Sequence, residues 1–439
     1  MIETLKENKI ILSFLVISFL IKLIFMPISA HSDLLSINMF PPLLFQEKVM
    51  DIFAYVDKFD PHRGFSYYSP FTYYFFASLQ YIFNLVTPSV TEWMSNLRQI
   101  YLDGFSGQAV DFFKSAPNPN IFLDLFILKL PYLIADSAIV LLLFKISKLK
   151  IINKWHAVIW AFNPVILYTT YIFGQFDILV ILFIFLGFTV AKKRRNVGFL
   201  LLGIAGAFKI YPFLIIIPLA IIFGKNLTDR LRLLGISFLP FLITVIPTLI
   251  NSPQLALFTF FPKNIFHYKT VLYGWDKYSP IIKYGLLAFS YVGVLFLSLF
   301  LKIKNKWKFA VGLSLITFLL AITLAGRTHF HYLIWIMPLM ILWFKNNPKL
   351  LAFIILLQTI SFASYKILAN QLQLGLFAPL NPDYFSTLPT FNSLINQIIP
   401  YRIISTLGFV IFTSINLYLI INVIKYLLFK AIVDVKRNN

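Results

Sequence analysis

The chain has 439 residues, of which 59% are hydrophobic and 13% charged, and its mean hydropathy is +0.81. Soluble domains average about 45–50% apolar and about 25% charged residues, so this much Phe, Ile and Leu must face lipid, which excludes secreted enzymes, cytosolic enzymes and disordered scaffolds. The formal net charge of +21 would suggest nucleic acid on a soluble protein, whereas on a membrane protein it points to basic cytoplasmic loops.

About twenty apolar residues cross a bilayer. The first candidate span is 10–29. Ala30 follows it as at a signal-peptide cleavage site, but Ile28 three residues before the cut and the many later spans favour an uncleaved anchor. A long outer segment, 30–120, comes next. Within 41–58, Phe45, Val49, Ile52, Phe53 and Val56 share one helical face opposite Glu47, Lys48 and Asp51, which predicts a helix lying on the membrane. The aromatic stretch 71–86 is short for a crossing. Counting it as one would put the Lys145–Lys154 loop on the opposite side from Lys192–Arg195, so it is read as juxtamembrane.

Spans follow at 121–145, 156–173 and 178–191. The run 197–223 is long for one crossing and short for two. Both its flanks are basic, with Lys192, Lys193, Arg194 and Arg195 before it and Lys225, Arg230 and Arg232 after it. Pro212 interrupts a straight helix, so two short crossings should meet near Lys209–Pro212. Further spans are 233–250, 281–301, 309–326, 330–344, 350–368 and 403–424, separated in part by outer segments 251–280 and 369–402. The fold expected is all-α: a polytopic membrane protein of about 12 spans with juxtamembrane helices in its first outer loop. Residues 1–223 form a core module and 224–439 a more variable half of one continuous membrane domain.

With both termini inside, 23 of the 38 basic residues fall on inner segments, joined there by only four of the 17 acids. That places both termini in the cytoplasm of a cell with the chain in its plasma membrane, and it places any chemistry on the outer face. The charge is thereby a matter of orientation, and no nucleic-acid partner is expected. There is no Cys, hence no disulfide or thiolate ligand, and no Walker A, Rossmann or HExxH motif.

Polar residues near the spans are the candidates for function, because charge at membrane depth is costly. Asp33 lies just past the first span in His31-Ser32-Asp33. Lys129 and Asp136 sit seven apart in one span, two turns along one face, as a brace within the bundle. Gln175 and Asp177 occupy an outer turn, Gly174-Gln175-Phe176-Asp177. Lys209 stands at a hairpin tip far from the basic loops, where a lipid phosphate is its natural counter-ion. Arg327 with His329 and His331 suits a phosphate better than a metal, which usually takes three or four ligands. Segment 258–278 mixes aromatics with Lys263, His267 and Lys269, a composition able to hold sugar and phosphate or to form an interfacial belt.

In order along the chain, these elements resemble the GT-C superfamily of polytopic glycosyltransferases. They are most similar to the dolichyl-phosphate-glucose-dependent glucosyltransferases of N-glycan assembly and to the first GPI-anchor mannosyltransferase. Asp33 is similar to the family's catalytic aspartate. Tyr67-Tyr68-Ser69-Pro70-Phe71 resembles its Tyr-Pro-Pro-Leu element, and Lys129 through Asp136 its basic-to-acidic spacing. Asn163-Pro164 and Gly174-Gln175-Phe176-Asp177 resemble the elements around the next outer turn, and Lys209-Ile210-Tyr211-Pro212 the Lys-Ile-Tyr-Pro of the GPI enzyme. His331, seven residues before Pro338, is similar to a family His.

The resemblance implies an inverting transfer of mannose or glucose from a polyprenyl-phosphate donor to a lipid-linked or cell-envelope glycan acceptor. Asp33 would be the catalytic base. Lys209, Tyr211, Arg327 and His331 would hold the donor phosphate, and Gln175, Asp177, His267 and Lys269 the substrate. Leu35 stands where the GPI enzyme has a second acid, so a divalent metal is not favoured and no cofactor is expected. Tyr332 and Leu333 replace the acid and lysine that follow the His in the glucosyltransferases, which bears on the acceptor. The alternatives are a transporter or flippase for lipid-linked glycans, with polar groups spread through the membrane depth, and a ligase or polymerase, with its longest outer loop late in the chain.

Overall fold

A computed structural model of the chain describes residues 2–59, 68–103, 109–148, 152–253, 279–301, 303–324, 329–367 and 374–436. Every regular element among them is helical. Among the described residues six helices are long and apolar enough to cross a membrane: Lys9–Ile28, Ile121–Ser147, Leu227–Asn251, Lys306–Leu324, Pro348–Tyr365 and Tyr401–Asp434. Shorter apolar helices, Asp177–Ala191, Arg195–Phe208, Phe213–Phe223, Gly285–Phe300 and Phe330–Trp343, accompany them. The chain is therefore an all-helical, multi-pass membrane protein.

The helices gather into two compact units, each drawn from three stretches of chain. One comprises Met1–Met39, Ile82–Leu182 and His329–Ile415, and the other Phe40–Tyr81, Phe183–Thr328 and Asn416–Asn439. The boundary expected at 223/224 thus falls inside the second unit.

In the first unit the opening helix packs on the helix Ile121–Lys148. Ion pairing and hydrogen bonding fasten the two. Asp136 accepts from Lys22 Nζ at 2.7 Å, from the Trp160 indole at 2.7 Å and from the Tyr171 hydroxyl at 2.6 Å. Lys129 is not its partner: both residues brace the bundle, as the sequence suggested, but separately. Seven residues of helix rise about 10 Å, so the two side chains share a face without reaching one another. The Lys129 ammonium is instead clamped between the backbone carbonyls of Ser29 and Tyr171. A buried ammonium must be satisfied, and helix-end carbonyls, which lack intrahelical partners, supply the acceptors.

The expected span 156–173 is not one helix. It runs as Trp155–Ala161, then Pro164–Ile166, then a π-helical turn Leu167–Ile172. Pro164 cannot continue the preceding helix, and Asn163 restarts the chain by accepting from the Val165 amide at 2.9 Å.

In the second unit the run 197–223 forms two helices, Arg195–Phe208 and Phe213–Phe223, divided at Lys209–Pro212 as expected. They fold back as a hairpin: the Arg195 guanidinium at the start of one donates to the Phe223 carbonyl at the end of the other, at 2.8 Å. The helix Leu227–Asn251 packs closely on the first arm. A Cβ at Gly203 would lie 2.1 Å from the Ser237 carbonyl oxygen, so only glycine permits this approach. The surface helix expected over 41–58 is two pieces, Pro42–Gln46 and Ile52–Phe59. Lys48 adopts a positive φ of 56° between them, and Asp51 Oδ1 caps the second piece by accepting from the Phe53 and Ala54 amides at 3.1 Å.

Candidate functional site

Asp33 lies in the first turn of the eight-residue helix Ser32–Met39, which follows the apolar opening helix after a short break. The break is fastened on three sides within the first unit. The Ala30 amide donates to the Leu376 carbonyl at 2.8 Å and the His31 amide to the Phe173 carbonyl at 3.1 Å, while Lys129 holds the Ser29 carbonyl. A carboxylate in the first turn is stabilised by the positive end of the helix dipole. The Asp33 side chain keeps 33% of its accessible surface, whereas that of His31 keeps 11%.

Gln175 and His31 both hold the Asp33 carboxylate. Gln175 Nε2 donates to Oδ2, and His31 Nδ1 lies 3.2 Å from Oδ1. The same Nδ1 lies 3.1 Å from the Asp33 amide nitrogen. A protonated ring pairs with the carboxylate and a neutral one accepts the amide, so either form keeps His31 beside Asp33. Gln175 is itself buried, with its backbone N–H donating to the Thr169 carbonyl at 2.8 Å. Its position depends on Gly174, whose φ of 86° lies in the left-handed region. An added Cβ there would also meet Leu34 Cβ at 3.0 Å, and Leu34 is the residue after Asp33. Glycine thus lets the turn lie against the helix that carries the carboxylate.

Aromatic rings line the surroundings. The His31 imidazole stacks on Phe173 with centroids 3.7 Å apart, and Phe173 lies 6.1 Å from the ring of His331. His331 is buried on the 3-10 segment Phe330–Ile336, stacked at 5.3 Å on the more exposed His329. Asp177 is fully buried, and its Oδ1 accepts from the Trp335 indole at 2.9 Å. It ties the Gly174–Asp177 turn to the segment bearing His331. The first unit therefore brings together Asp33, Gln175, Asp177 and His331. His31, Phe173 and Trp335 complete the cluster and were not singled out from sequence; for His31 the only signal was its place two residues before Asp33. Among the described residues no three His, Asp or Glu side chains gather as a metal site would require.

Lys209 and Tyr211 belong to the second unit. Lys209 ends the first arm of the hairpin, with its ammonium 5.5 Å from the centroid of the Tyr68 ring. The preceding residue, Phe208, is surrounded by Phe71 at 4.8 Å, Phe75 at 4.9 Å and Phe183 at 5.9 Å between ring centroids. The Thr72 hydroxyl donates to the Phe208 carbonyl at 2.7 Å. Two motifs far apart in the sequence, around Pro70 and around Lys209, are thus packed together, the bonded Thr72 and Phe208 being 136 positions apart. Tyr211 is buried, its ring 5.5 Å from that of Phe318. Tyr67, His267, Lys269 and Arg327 lie outside the described residues.

A family model described as GPI transamidase subunit PIG-U matches residues 123–321, just under half of the chain. The chain is similar to that family over the stretch containing Gln175, Asp177, Lys209 and Tyr211, while Asp33 and His331 lie outside it. No curated protein and no solved structure matches.

Proposed function

We propose that the chain is an inverting hexosyltransferase, of about 12 crossings, acting at the outer face of the plasma membrane on a polyprenyl-phosphate sugar. The observation that carries this reading is the Asp33 carboxylate, partly exposed at the end of an apolar helix and aligned by Gln175 and His31. Sugar chemistry on a lipid needs a base at the depth of the head group. Asp33 would accept the proton of an acceptor hydroxyl as that oxygen attacks the anomeric carbon. The bond from that carbon to the phosphate oxygen breaks, and polyprenyl phosphate leaves with its negative charge.

Cations must meet that charge, and Lys209, Arg327 and His331 are the residues proposed for it, with Tyr211 beside the phosphate. Gln175 aligns the base, and Asp177 positions the His331 segment through Trp335. His267 and Lys269 are proposed contacts to the sugar or to the glycan acceptor. The reaction as written needs no metal.

Purified protein incubated with labelled polyprenyl-phosphate mannose or glucose tests the reading. Asp33→Asn should lower transfer or donor hydrolysis at least a hundredfold, the scale of a general base. Undiminished turnover by the folded variant overturns the base role. Lys209→Ala should weaken donor binding, and unchanged affinity removes the phosphate role. The match to a transamidase subunit favours a second reading, a subunit that holds a GPI-like glycolipid without transferring sugar. Wild-type protein that binds the glycolipid but turns over no donor supports that alternative.

A further inference from the structure

The second unit contains an open basin of about 830 Å³ that the chemistry above does not use. Lys192, Lys193, Arg194, Lys225 and Lys306 line it, and all five are exposed. Arg195 and Arg232 also line it, but their charges are partly committed. Both guanidiniums bond Asp229, Arg195 at 2.9 Å and Arg232 at 2.8 Å, and the Lys225 amide donates to the same carboxylate at 3.0 Å. Asp229 therefore acts as a fixed post that holds two arginines and the Lys225 backbone in place. One acid against seven cations leaves a large positive excess.

The basin sits where apolar helices end. Asp177–Ala191 finishes beside it, and Arg195–Phe208, Leu227–Asn251 and Lys306–Leu324 start there. That is headgroup depth for any bilayer the helices cross. Trp307 supports the placement, since its indole donates to the Phe188 carbonyl at 3.2 Å and the Lys192 ammonium lies 6.0 Å from its ring. On the helices Arg195–Phe208 and Leu227–Asn251 that start at the basin, Val197, Leu200, Leu227 and Leu231 are exposed, which suits hydrocarbon chains and not a dissolved ion.

We propose that this basin binds the phosphate headgroup of an anionic membrane lipid, its acyl chains lying on those apolar side chains. Arginines fixed on a carboxylate offer planar donors to phosphate oxygens, and the lysines add point charge. Basic pockets between membrane helices are suited to such headgroups. The assignment does not rest on sugar transfer and would hold for a non-catalytic subunit.

Native mass spectrometry of detergent-purified protein, loaded with phosphatidylglycerol or phosphatidylcholine, tests it. Wild type should retain phosphatidylglycerol preferentially, and equal retention of the two lipids overturns the proposal. The triple variant Lys193→Gln, Lys225→Gln, Lys306→Gln should lose that retention about a hundredfold, several-fold for each lysine. The triple Arg variant at the same positions should keep it, and its loss there counts against a phosphate site. Lys145→Gln, Lys345→Gln, Lys349→Gln removes the same charge elsewhere. An equal loss in this control means net charge alone and overturns the site. Displacement of the lipid by inorganic phosphate assigns the basin to a soluble anion and overturns the lipid assignment.

Discussion

Asp136 offers the sharpest test of how the first unit is held together. Its carboxylate is 1% exposed and serves three donors, of which Lys22 is itself only 4% exposed. Asp136→Asn keeps the shape and leaves an oxygen for Trp160 or Tyr171, but it strands the Lys22 ammonium. Removing one partner of a buried ion pair costs about 3–5 kcal/mol. At a factor of ten per 1.4 kcal/mol, the unfolding equilibrium should shift by roughly two to almost four powers of ten. In Lys22→Met with Asp136→Asn no charge is stranded, so the double variant should recover about 2 kcal/mol or more of the summed single losses. Unfolding in mixed micelles, titrated with sodium dodecyl sulfate and followed by tryptophan fluorescence, measures each corner of the cycle. Additivity within about 0.5 kcal/mol, or an Asp136→Asn variant as stable as wild type, would refute the argument.

Other expectations follow from the site and the topology. Gln175→Leu removes the amide that donates to Asp33 and should slow turnover about 10- to 100-fold, with donor affinity retained, as the loss of one charge-assisted hydrogen bond implies; donor titration and single-turnover rates separate the two effects. Gly174→Ala meets both the 86° φ and the Leu34 side chain, so it should destabilise by at least about 1 kcal/mol, measured by thermal unfolding, with Asp33-dependent turnover falling alongside. Single cysteines placed at Lys58 and at Arg194, in a chain with no cysteine of its own, should react with impermeant maleimide from opposite faces of sealed vesicles. Labelling from the same face contradicts the proposed topology.

Local chemistry was legible where a signal outweighed the apolar background. Pro212 between two basic flanks announced the hairpin at Lys209–Pro212, and the Arg195–Phe223 hydrogen bond closes it. Asn163-Pro164 carried an equally good capping signal, yet a long apolar run masked it, because hydropathy averages over residues that a cap acts on singly. The amphipathic face within 41–58 was real at Phe53 and Val56, both buried, but a periodicity read across Lys48 could not register one positive φ. Asp33 and Gln175 each stood out as polar residues at span ends. Their contact joins positions 142 apart, and no short-range pattern encodes it. The partner of Asp136 could not be read for the same reason: Lys22 lies on another helix 114 residues away, and no spacing relates the two.

The Lys129 clamp bears on how the protein adapts to bilayers of different thickness. A helix longer than the hydrocarbon layer relieves mismatch by tilting. The opening helix shows lipid one side, where Leu12, Leu20 and Ile24 are exposed, while on the other Ser18 donates to the Ala161 carbonyl at 2.6 Å and Lys22 pairs with Asp136. Its carboxyl end is held as well, because Ser29 is riveted through one ammonium to the π-helical turn at Tyr171. Leaning must therefore carry the helix Ile121–Lys148 and that turn along as one body. Asp33, four residues past Ser29, should keep its register with Gln175 in thin and thick membranes alike.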